Sequence, residues 1–260
     1  LVGCLFLAVH PRIFSHSFYN SVDIPFLAFY VISLYSLLRF LEKKTIARAS
    51  LHAFVSAILI NIRLIGVIMV VCTVISLSID LFRQKGNRVK FVRGMQTFLV
   101  YSVLLILCMV LFWPFLWENP IKNLFNVFLN LSNHPLYSYN FYLGNLVSFT
   151  KVPWHFIIVW ILITTPIIYS FFLFVGLFKF FRDNFKLKKH KYFYQDLIII
   201  LSIIIPIVSA IFFNSTLYNG WRHMYFLYPF LVIFMVSGVN YLIDKLNKTK
   251  IYYFFQLIVI

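Results

Sequence analysis

The stretch 218–229 places an arginine and a histidine side by side in an otherwise apolar and aromatic segment. Arg222 and His223 follow Trp221 and precede Tyr225. A cation held at membrane depth is costly, so it usually has an anionic partner or a functional role. A planar guanidinium can donate two parallel hydrogen bonds to a phosphate. The pattern therefore predicts an anion-binding site, and the alternative is that the pair snorkels and anchors an interfacial helix.

A carboxylate, Asp23, opens another apolar run and directly precedes Ile24–Pro25. The functional interpretation is a carboxylate at the membrane face that meets a hydroxyl, a metal or a cationic partner. The structural alternative is an N-cap, because an aspartate there bonds free backbone N–H groups and suits the helix dipole. The two interpretations are compatible, and Asp23 is the candidate catalytic residue.

Five further residues complete the set of candidate substrate contacts, and most of them have a structural alternative. Arg63 is either a second anion contact or a structural residue of a predicted turn. Trp154 and His155 begin a span, where an interfacial tryptophan beside a solvated histidine is the alternative. For Glu118 the alternative is a weak ion pair with Lys122, four residues later in the chain. Together with His16, these acids and histidines leave a divalent metal open, but no H-x-x-x-H spacing supports one, so no cofactor is assigned.

Composition identifies the class of protein. The chain has 260 residues, of which 62% are hydrophobic and 12% charged, and its mean hydropathy is +0.90. Several apolar runs approach the roughly 20 residues that a helix needs to cross a bilayer. The formal net charge of +16 is distributed over short loops between these runs, which argues against a nucleic-acid-binding face. We predict an all-α, polytopic transmembrane helical bundle that forms a single domain over residues 1–260 and is truncated at both ends.

The basic loops predict the orientation of the bundle. All four are expected on the cytoplasmic side: Glu42–Ser50, Arg83–Arg93, Arg182–Lys191 and Asp244–Lys250. A single crossing by the segment between the first two loops would put them on opposite sides. That segment is therefore predicted to be a hairpin of two helices that turns near residues 61–66, with Arg63 at the outer surface.

The remaining segments are assigned from their apolar runs. Spans are predicted over residues 1–14 (the end of a first span), 24–41, 96–117, 153–181 with a kink at Thr164–Pro166, 197–213 and 224–243. The segments 15–23, 118–152 and 214–223 then lie outside. Within 118–152, apolar residues recur at helical spacing from Ile121 to Leu131, which predicts an amphipathic helix on the outer membrane surface. An aromatic loop over residues 137–144 follows it.

Three motifs resemble segments of bacterial membrane glycosyltransferases of family 39, in the GT-C superfamily. They are H-S-F-Y-N-S-V-D-I-P (16–25), P-W-H (153–155) with T-T-P (164–166), and G-W-R-H-M-Y-F-L-Y-P (220–229). The family includes relatives of protein O-mannosyltransferases and of the transferase that adds aminoarabinose to lipid A. The resemblance implies a GT-C-like bundle, a polyprenyl-phosphate sugar donor and transfer on the extracytoplasmic side of the bacterial plasma membrane.

By the same resemblance, Asp23 corresponds to an acidic residue of a second outer loop that lines the catalytic cavity. Arg222 would contact the donor phosphate, with His223 and Tyr225 beside it. The acidic motif of the first outer loop, usually the catalytic base, would lie before Leu1. The resemblance therefore implies that this sequence lacks the main catalytic carboxylate.

The function predicted from the sequence is transfer of a sugar from a polyprenyl-phosphate donor to an acceptor hydroxyl. The implied partners are that donor, membrane lipid and an acceptor glycolipid, glycan or protein. A multi-spanning transporter or flippase for an anionic lipid or solute is the alternative. It predicts charges near the middle of the bilayer rather than at outer helix ends. A non-catalytic membrane subunit is a third reading.

Overall fold

The computed structural model describes residues 1–83, 86–132, 138–184, 193–213 and 215–246. Within these ranges the chain forms α-helices, three short 3₁₀ helices and one β-hairpin. The α-helices are α1 (Val2–Ala8), α2 (Pro11–Ser17), α3 (Asp23–Glu42), α4 (Ile46–Ile62), α5 (Val67–Arg83), α6 (Arg88–Leu111), α7 (Pro120–Ser132), α8 (Phe156–Thr164), α9 (Ile167–Asn184), α10 (Phe193–Phe212) and α11 (Tyr228–Leu246). The 3₁₀ helices are Leu64–Gly66, Pro114–Leu116 and Arg222–Leu227, and the strands are β1 (Tyr139–Tyr142) and β2 (Asn145–Ser148).

Long apolar helices dominate the fold. In the described part of the chain, five helical segments are long and apolar enough to cross a membrane, and α4 is a shorter apolar helix. Such helices satisfy their backbone hydrogen bonds internally, which is what a bilayer requires of a spanning segment. The prediction of a helical bundle with membrane-spanning character is confirmed at this level. The arrangement of the bundle relative to a bilayer stays a prediction.

The predicted helical hairpin is present. Helix α4 ends at Ile62, a 3₁₀ turn covers Leu64–Gly66, and α5 runs back from Val67. The turn is tight, because a Cβ at Gly66 would lie 2.9 Å from the Leu59 side chain. Arg63 sits in the turn with extended backbone dihedral angles. The turn therefore delivers Arg63 to the end of the bundle at which α3 begins.

Two helix breaks follow from proline. The predicted kink is confirmed as a break: α8 ends at Thr164 and α9 resumes at Ile167, since Pro166 lacks the N–H that a continuous helix uses. The prediction of one continuous span through residue 14 is wrong, because His10–Pro11 divides that segment into α1 and α2. Pro11 starts α2, and the Nδ1 of His10 accepts a hydrogen bond from the Ile13 N–H. Helix α2 then continues to Ser17, into the predicted outer loop.

Helices α9 and α11 pack in direct backbone contact through two glycines. A Cβ at Gly176 would overlap the backbone of Phe234, and a Cβ at Gly238 would overlap the backbone of Phe172. Small residues allow this close approach between membrane helices. The two helices run parallel, so Arg182 near the end of α9 lies over the ring of Tyr241 near the end of α11, and Trp221 before α11 bonds Thr164 before α9.

The segment between α6 and α8 carries the amphipathic helix and the hairpin. The predicted helix from Ile121 to Leu131 is present as α7, which leaves Ile121 and Phe125 exposed, and its place on the outer membrane surface stays a prediction. The predicted aromatic loop is instead a two-stranded antiparallel hairpin, in which Tyr139 pairs with Ser148 and Tyr142 with Asn145. Its turn has φ of 48° at Leu143 and 83° at Gly144, as a type I′ turn requires. This hairpin departs from the predicted all-α class.

Charged contacts gather at opposite ends of the bundle. At one end Lys44 pairs with Asp80, and Arg39 pairs with Glu42 at 3.3 Å. The other end holds the site described next, around Asp23. This separation agrees with the predicted division between basic loops and a polar outer face.

Candidate anion-binding site

A buried carboxylate lies at the centre of the site. Asp23 is 5% exposed, and its Oδ1 accepts a hydrogen bond from Arg63 Nη1. The Nε of Arg222 lies 3.1 Å from Asp23 Oδ2. Three segments that are distant in sequence, the start of α3, the α4–α5 turn and the 3₁₀ helix before α11, therefore meet at one carboxylate. Asp23, Arg63 and Arg222 occupy the same end of the bundle, as the sequence predicted.

Asn20 fixes the position of Asp23. The Oδ1 of Asn20 accepts hydrogen bonds from the backbone N–H groups of Asp23, at 2.9 Å, and of Val22, at 3.3 Å. Its Nδ2 donates to Asp23 Oδ2 at 2.8 Å. The side chain that meets the free N–H groups at the start of α3 is thus Asn20, and the N-cap interpretation of Asp23 is wrong. The Asp23 side chain is left to contact the arginines.

This geometry bears on the catalytic role predicted for Asp23. Its two oxygens face two guanidinium groups and one amide, so the negative charge is already compensated. A carboxylate in this state holds the arginines in place more readily than it removes a proton from a hydroxyl. The role of Asp23 as a base stays a prediction, and its contacts favour a positioning role.

His16 extends the network along α2. Its Nδ1 lies 3.1 Å from Asn20 Nδ2, and its ring lies 5.0 Å from the ring of Tyr225. Burial, and then the charges of Arg12 and Arg222, lower the pKa of His16 below its ordinary value of 6.5, while Asp23 acts in the opposite direction. The imidazole is therefore neutral at neutral pH. His16 adds a hydrogen-bonding group to the site but no charge.

Arg12 is a further member of the site that the sequence analysis missed. Its guanidinium lies over the ring of Trp160, with 5.1 Å between Cζ and the ring centroid, and Nη1 donates to the Asn219 carbonyl at 3.4 Å. Gly220 has φ of 69°, and a Cβ there would lie 2.9 Å from Arg12 Nη1. The available signal was the i,i+4 spacing of Arg12 and His16, which puts both on one helix face.

Aromatic rings hold the segment that carries Arg222. Trp221 is fully buried, and its Nε1 donates to Thr164 Oγ1 at 2.8 Å. The ring of Tyr218 lies 5.2 Å from Arg222 Cζ and 4.3 Å from the ring of His223. Arg222 Nε is buried against its ion-pair partner, Asp23 Oδ2. His223 Nδ1 is buried without a hydrogen-bond partner in the described part of the chain, so it remains able to bond a ligand.

Tyr225 completes this wall of the site. It is buried, and its ring stands edge-on to Trp221 at 4.9 Å as well as against His16. The predicted grouping of Arg222, His223 and Tyr225 with His16 is therefore present in the fold.

Three of the predicted site residues are not in contact with this cluster in the described part of the chain. Glu118 is exposed before α7, and Trp154 is 65% exposed. His155 bonds instead to the hydroxyl of Tyr142, at 2.6 Å from His155 Nδ1. These residues belong to the segment that contains the hairpin and stand apart from the arginines.

The hairpin nevertheless touches the segment that leads to Arg222. The Nδ2 of Asn140 donates to the Leu217 carbonyl at 2.8 Å. The Leu217 N–H donates to the Phe149 carbonyl at 3.1 Å, and Phe149 stacks on Tyr218 with 5.7 Å between ring centroids. The hairpin thus packs against one side of the arginine site.

The site carries an excess of positive charge. Two guanidinium groups, those of Arg63 and Arg222, pair with Asp23. Arg12 on α2 adds a third beside the segment that carries Arg222, so the formal charge of these four groups is +2 when the histidines are neutral. The side chains of Arg63 and Arg222 are 22% and 26% exposed, so the cluster remains open to a ligand. An arrangement of this kind can bind an anion through charge-assisted hydrogen bonds.

Comparisons with family models, curated proteins and solved structures found no relative of this chain. The family resemblance therefore depends on its sequence motifs, and two of these contain Asp23 and Arg222, which are in contact. Within the described residues, no three side chains of histidine, cysteine, aspartate or glutamate group as metal ligands would.

Proposed function

We propose that the arginine cluster binds the phosphate of a lipid-linked sugar, and that the chain is an integral-membrane glycosyltransferase. In this proposal it moves a sugar from a polyprenyl-phosphate donor to an acceptor hydroxyl on the extracytoplasmic side of a bacterial plasma membrane. The observation that carries the proposal is the excess of guanidinium groups around Asp23 at one end of an apolar bundle. Charged clusters on a solvated surface are common and carry little information about function, whereas the central carboxylate of this cluster is only 5% exposed.

The electrostatics favour an anion with an apolar tail. A prenyl chain partitions into the hydrocarbon between helices, which brings its phosphate to the helix ends. At those ends Asp23 offsets one of the three arginines and leaves a formal charge of +2. A phosphodiester monoanion would meet this charge. Hydrogen bonds to charged groups contribute about 1.5–3 kcal/mol each.

The same charge suits the chemistry. In glycosyl transfer the bond between the sugar carbon and the phosphate oxygen breaks, and its electron pair remains on that oxygen. Fixed guanidinium groups beside the oxygen stabilise the charge that develops there. The acceptor hydroxyl loses its proton to a base. The contacts of Asp23 leave that base unassigned in this chain.

The surfaces beside the cluster support a lipid ligand. Helix α7 exposes Ile121 and Phe125, and the hairpin exposes Tyr139 and Phe141. Exposed apolar faces of this kind are suited to the bilayer interface. The hairpin packs against the segment that leads to Arg222, where a lipid-linked sugar would arrive. The transporter alternative predicts charges at mid-membrane, whereas the described ion pairs lie at the two ends of the bundle.

Binding of a defined donor tests the proposal. The chain is reconstituted in lipid nanodiscs, and its affinity for a short-chain prenyl-phosphate sugar is measured by competition with a fluorescent analogue. We expect Arg222→Ala and Arg63→Gln each to weaken binding about tenfold or more, which corresponds to the loss of one charge-assisted hydrogen bond. Arg39→Gln, at the opposite end of the bundle, is the matched control and should leave the affinity unchanged.

Two results would contradict the proposal. One is equal binding by the wild type and Arg222→Ala, and the other is no binding by the wild type at all. Transfer is then followed with a radiolabelled donor and hydroxyl acceptors. Passage of the labelled lipid across a vesicle membrane without transfer would instead support the transporter.

A further inference from the structure

We propose that the arginine cluster distinguishes between two charge states of its lipid ligand and that Arg12 supplies the distinction. The site binds a lipid phosphate monoester, a dianion, more tightly than the corresponding phosphodiester, a monoanion. The inference rests on the proposed function, because it concerns the phosphate that this function places in the site. It assigns a specific role to a residue that the sequence motifs did not identify.

The division of charge within the cluster supports this assignment. Arg63 and Arg222 share Asp23, so these three groups carry one net positive charge, which matches a phosphodiester. In the described part of the chain, no carboxylate lies within ion-pair distance of Arg12. Arg12 therefore brings a second, uncompensated positive charge. A phosphate monoester carries a charge of about −1.5 to −2 near neutral pH, which matches the complete cluster.

Arg12 is held so that it can act on a ligand. Its guanidinium is stacked on Trp160, and one nitrogen is bonded to the Asn219 carbonyl. Gly220 leaves room for that nitrogen, because a side chain there would crowd it. A guanidinium has five N–H donors, so the Asn219 carbonyl uses one and leaves four. The group is immobilised before a ligand arrives, which reduces the entropy lost on binding.

Arg12 also lies on the same side of the site as the other charges. Arg12 Nη1 bonds the carbonyl of Asn219, three residues before Arg222. His16, one helical turn after Arg12, packs on the Tyr225 ring and contacts the Asn20 amide that donates to Asp23. A phosphate bound next to His16 would be reached by donors from Arg12 and from Arg222.

This charge preference has a consequence for the reaction. The donor is a phosphodiester. Cleavage of the sugar–oxygen bond leaves the electron pair on the phosphate oxygen, so the lipid product is a phosphate monoester. The sugar carbon bonds to the acceptor oxygen, and the acceptor proton passes to a base. A group that interacts more strongly with the product charge lowers the barrier, since this charge is already developing in the transition state. The same group retains the lipid phosphate after transfer, so the product should inhibit.

The experiment compares two ligands that differ in charge and by one methyl group. Citronellyl phosphate and its methyl diester are titrated at pH 8 against the chain in nanodiscs of zwitterionic lipid, and binding is measured by competition with a fluorescent prenyl phosphate. We expect the wild type to bind the monoester at least about tenfold more tightly, a difference of about 1.4 kcal/mol. Arg12→Gln should bring the two affinities within about twofold, mainly by weakening the monoester. Arg12→Lys keeps the charge and should retain part of the preference.

Each outcome decides the inference. Equal wild-type affinities for the two ligands overturn it while leaving phosphate binding, and hence the proposed function, intact. A preference that persists in Arg12→Gln overturns the role of Arg12. If the wild type binds neither ligand, the proposed function fails and the preference fails with it. The wild-type comparison does not depend on any variant, so it decides the preference even if Arg12→Gln fails to fold.

Discussion

Replacing Asp23 by asparagine tests whether this carboxylate holds the arginines together. The substitution preserves the volume of the side chain and removes its charge. Arg63 and Arg222 would then lie side by side, partly buried, with no anion between them. Removing one partner of a fully buried ion pair costs about 3–5 kcal/mol. The arginine side chains are 22% and 26% exposed, so water compensates in part, and we expect a loss of about 2–4 kcal/mol in the free energy of unfolding.

Equilibrium unfolding in mixed detergent micelles, followed by tryptophan fluorescence, measures this loss. A double-mutant cycle with Arg63→Gln isolates the pairwise contribution. Because Arg63→Gln removes one of the two unpaired cations, Asp23→Asn should cost less in its presence, with a coupling energy of at least about 1 kcal/mol. Asp183→Asn is the matched control, since Asp183 pairs with the adjacent Arg182 and both side chains are 40% exposed. We expect no measurable change for it.

The reasoning would be refuted by either of two results. If Asp23→Asn unfolds at the same denaturant concentration as the Asp183→Asn control, the cluster is not held by its central charge. If the effects of Asp23→Asn and Arg63→Gln are simply additive, the two residues do not interact energetically. An excess of added inorganic phosphate should partly restore the stability of Asp23→Asn, because it supplies the missing negative charge.

Three further predictions concern other parts of the chain. The pKa of His16 is lower in the folded than in the unfolded chain, so the unfolded state binds more protons as the pH falls. Tm should therefore decrease when the pH is lowered from about 7 to about 5, and His16→Gln should make this decrease smaller. Thr73→Val removes the hydroxyl that lies 2.9 Å from His52 Nε2 in the bundle interior, and we expect a loss of about 1 kcal/mol in unfolding free energy. Gly238→Ala should cost about 3 kcal/mol in the same assay by forcing α9 from α11, whereas Gly86→Ala, where a Cβ meets nothing within 4 Å, should be neutral.

Much of the helix architecture could be predicted, because apolar runs and proline act locally. The break before Pro166 follows from a missing N–H, and the α4–α5 hairpin follows from the distribution of charge on the two flanking loops. The division of the first segment at His10–Pro11 has the same local cause and could have been predicted in the same way. The β-hairpin was harder to predict, because its strands are short and its turn, Leu143–Gly144, departs from the usual Asn-Gly pattern.

The site was predictable in part. Asp23, Arg63 and Arg222 were identified because a charge in an apolar chain is rare. Their pairing depends on how α3, α4 and α11 pack, which no local pattern encodes. The same limit explains the error about capping: Asn20 takes the backbone N–H groups because the arginines draw the Asp23 carboxylate elsewhere. Arg12 falls within residues 1–14, which the sequence predicts to be the end of a span, so its pattern does not mark it as a site residue.

The glycine contact between α9 and α11 has a mechanical consequence. With no side chain between the two backbones, these helices move as one rigid unit. The 3₁₀ helix Arg222–Leu227 connects Arg222 to the start of α11. The distance between Arg222 and Asp23 can therefore increase in two ways. Either α3 shifts, or the six-residue 3₁₀ helix unwinds. Entry and release of a large ligand would depend on that short 3₁₀ helix.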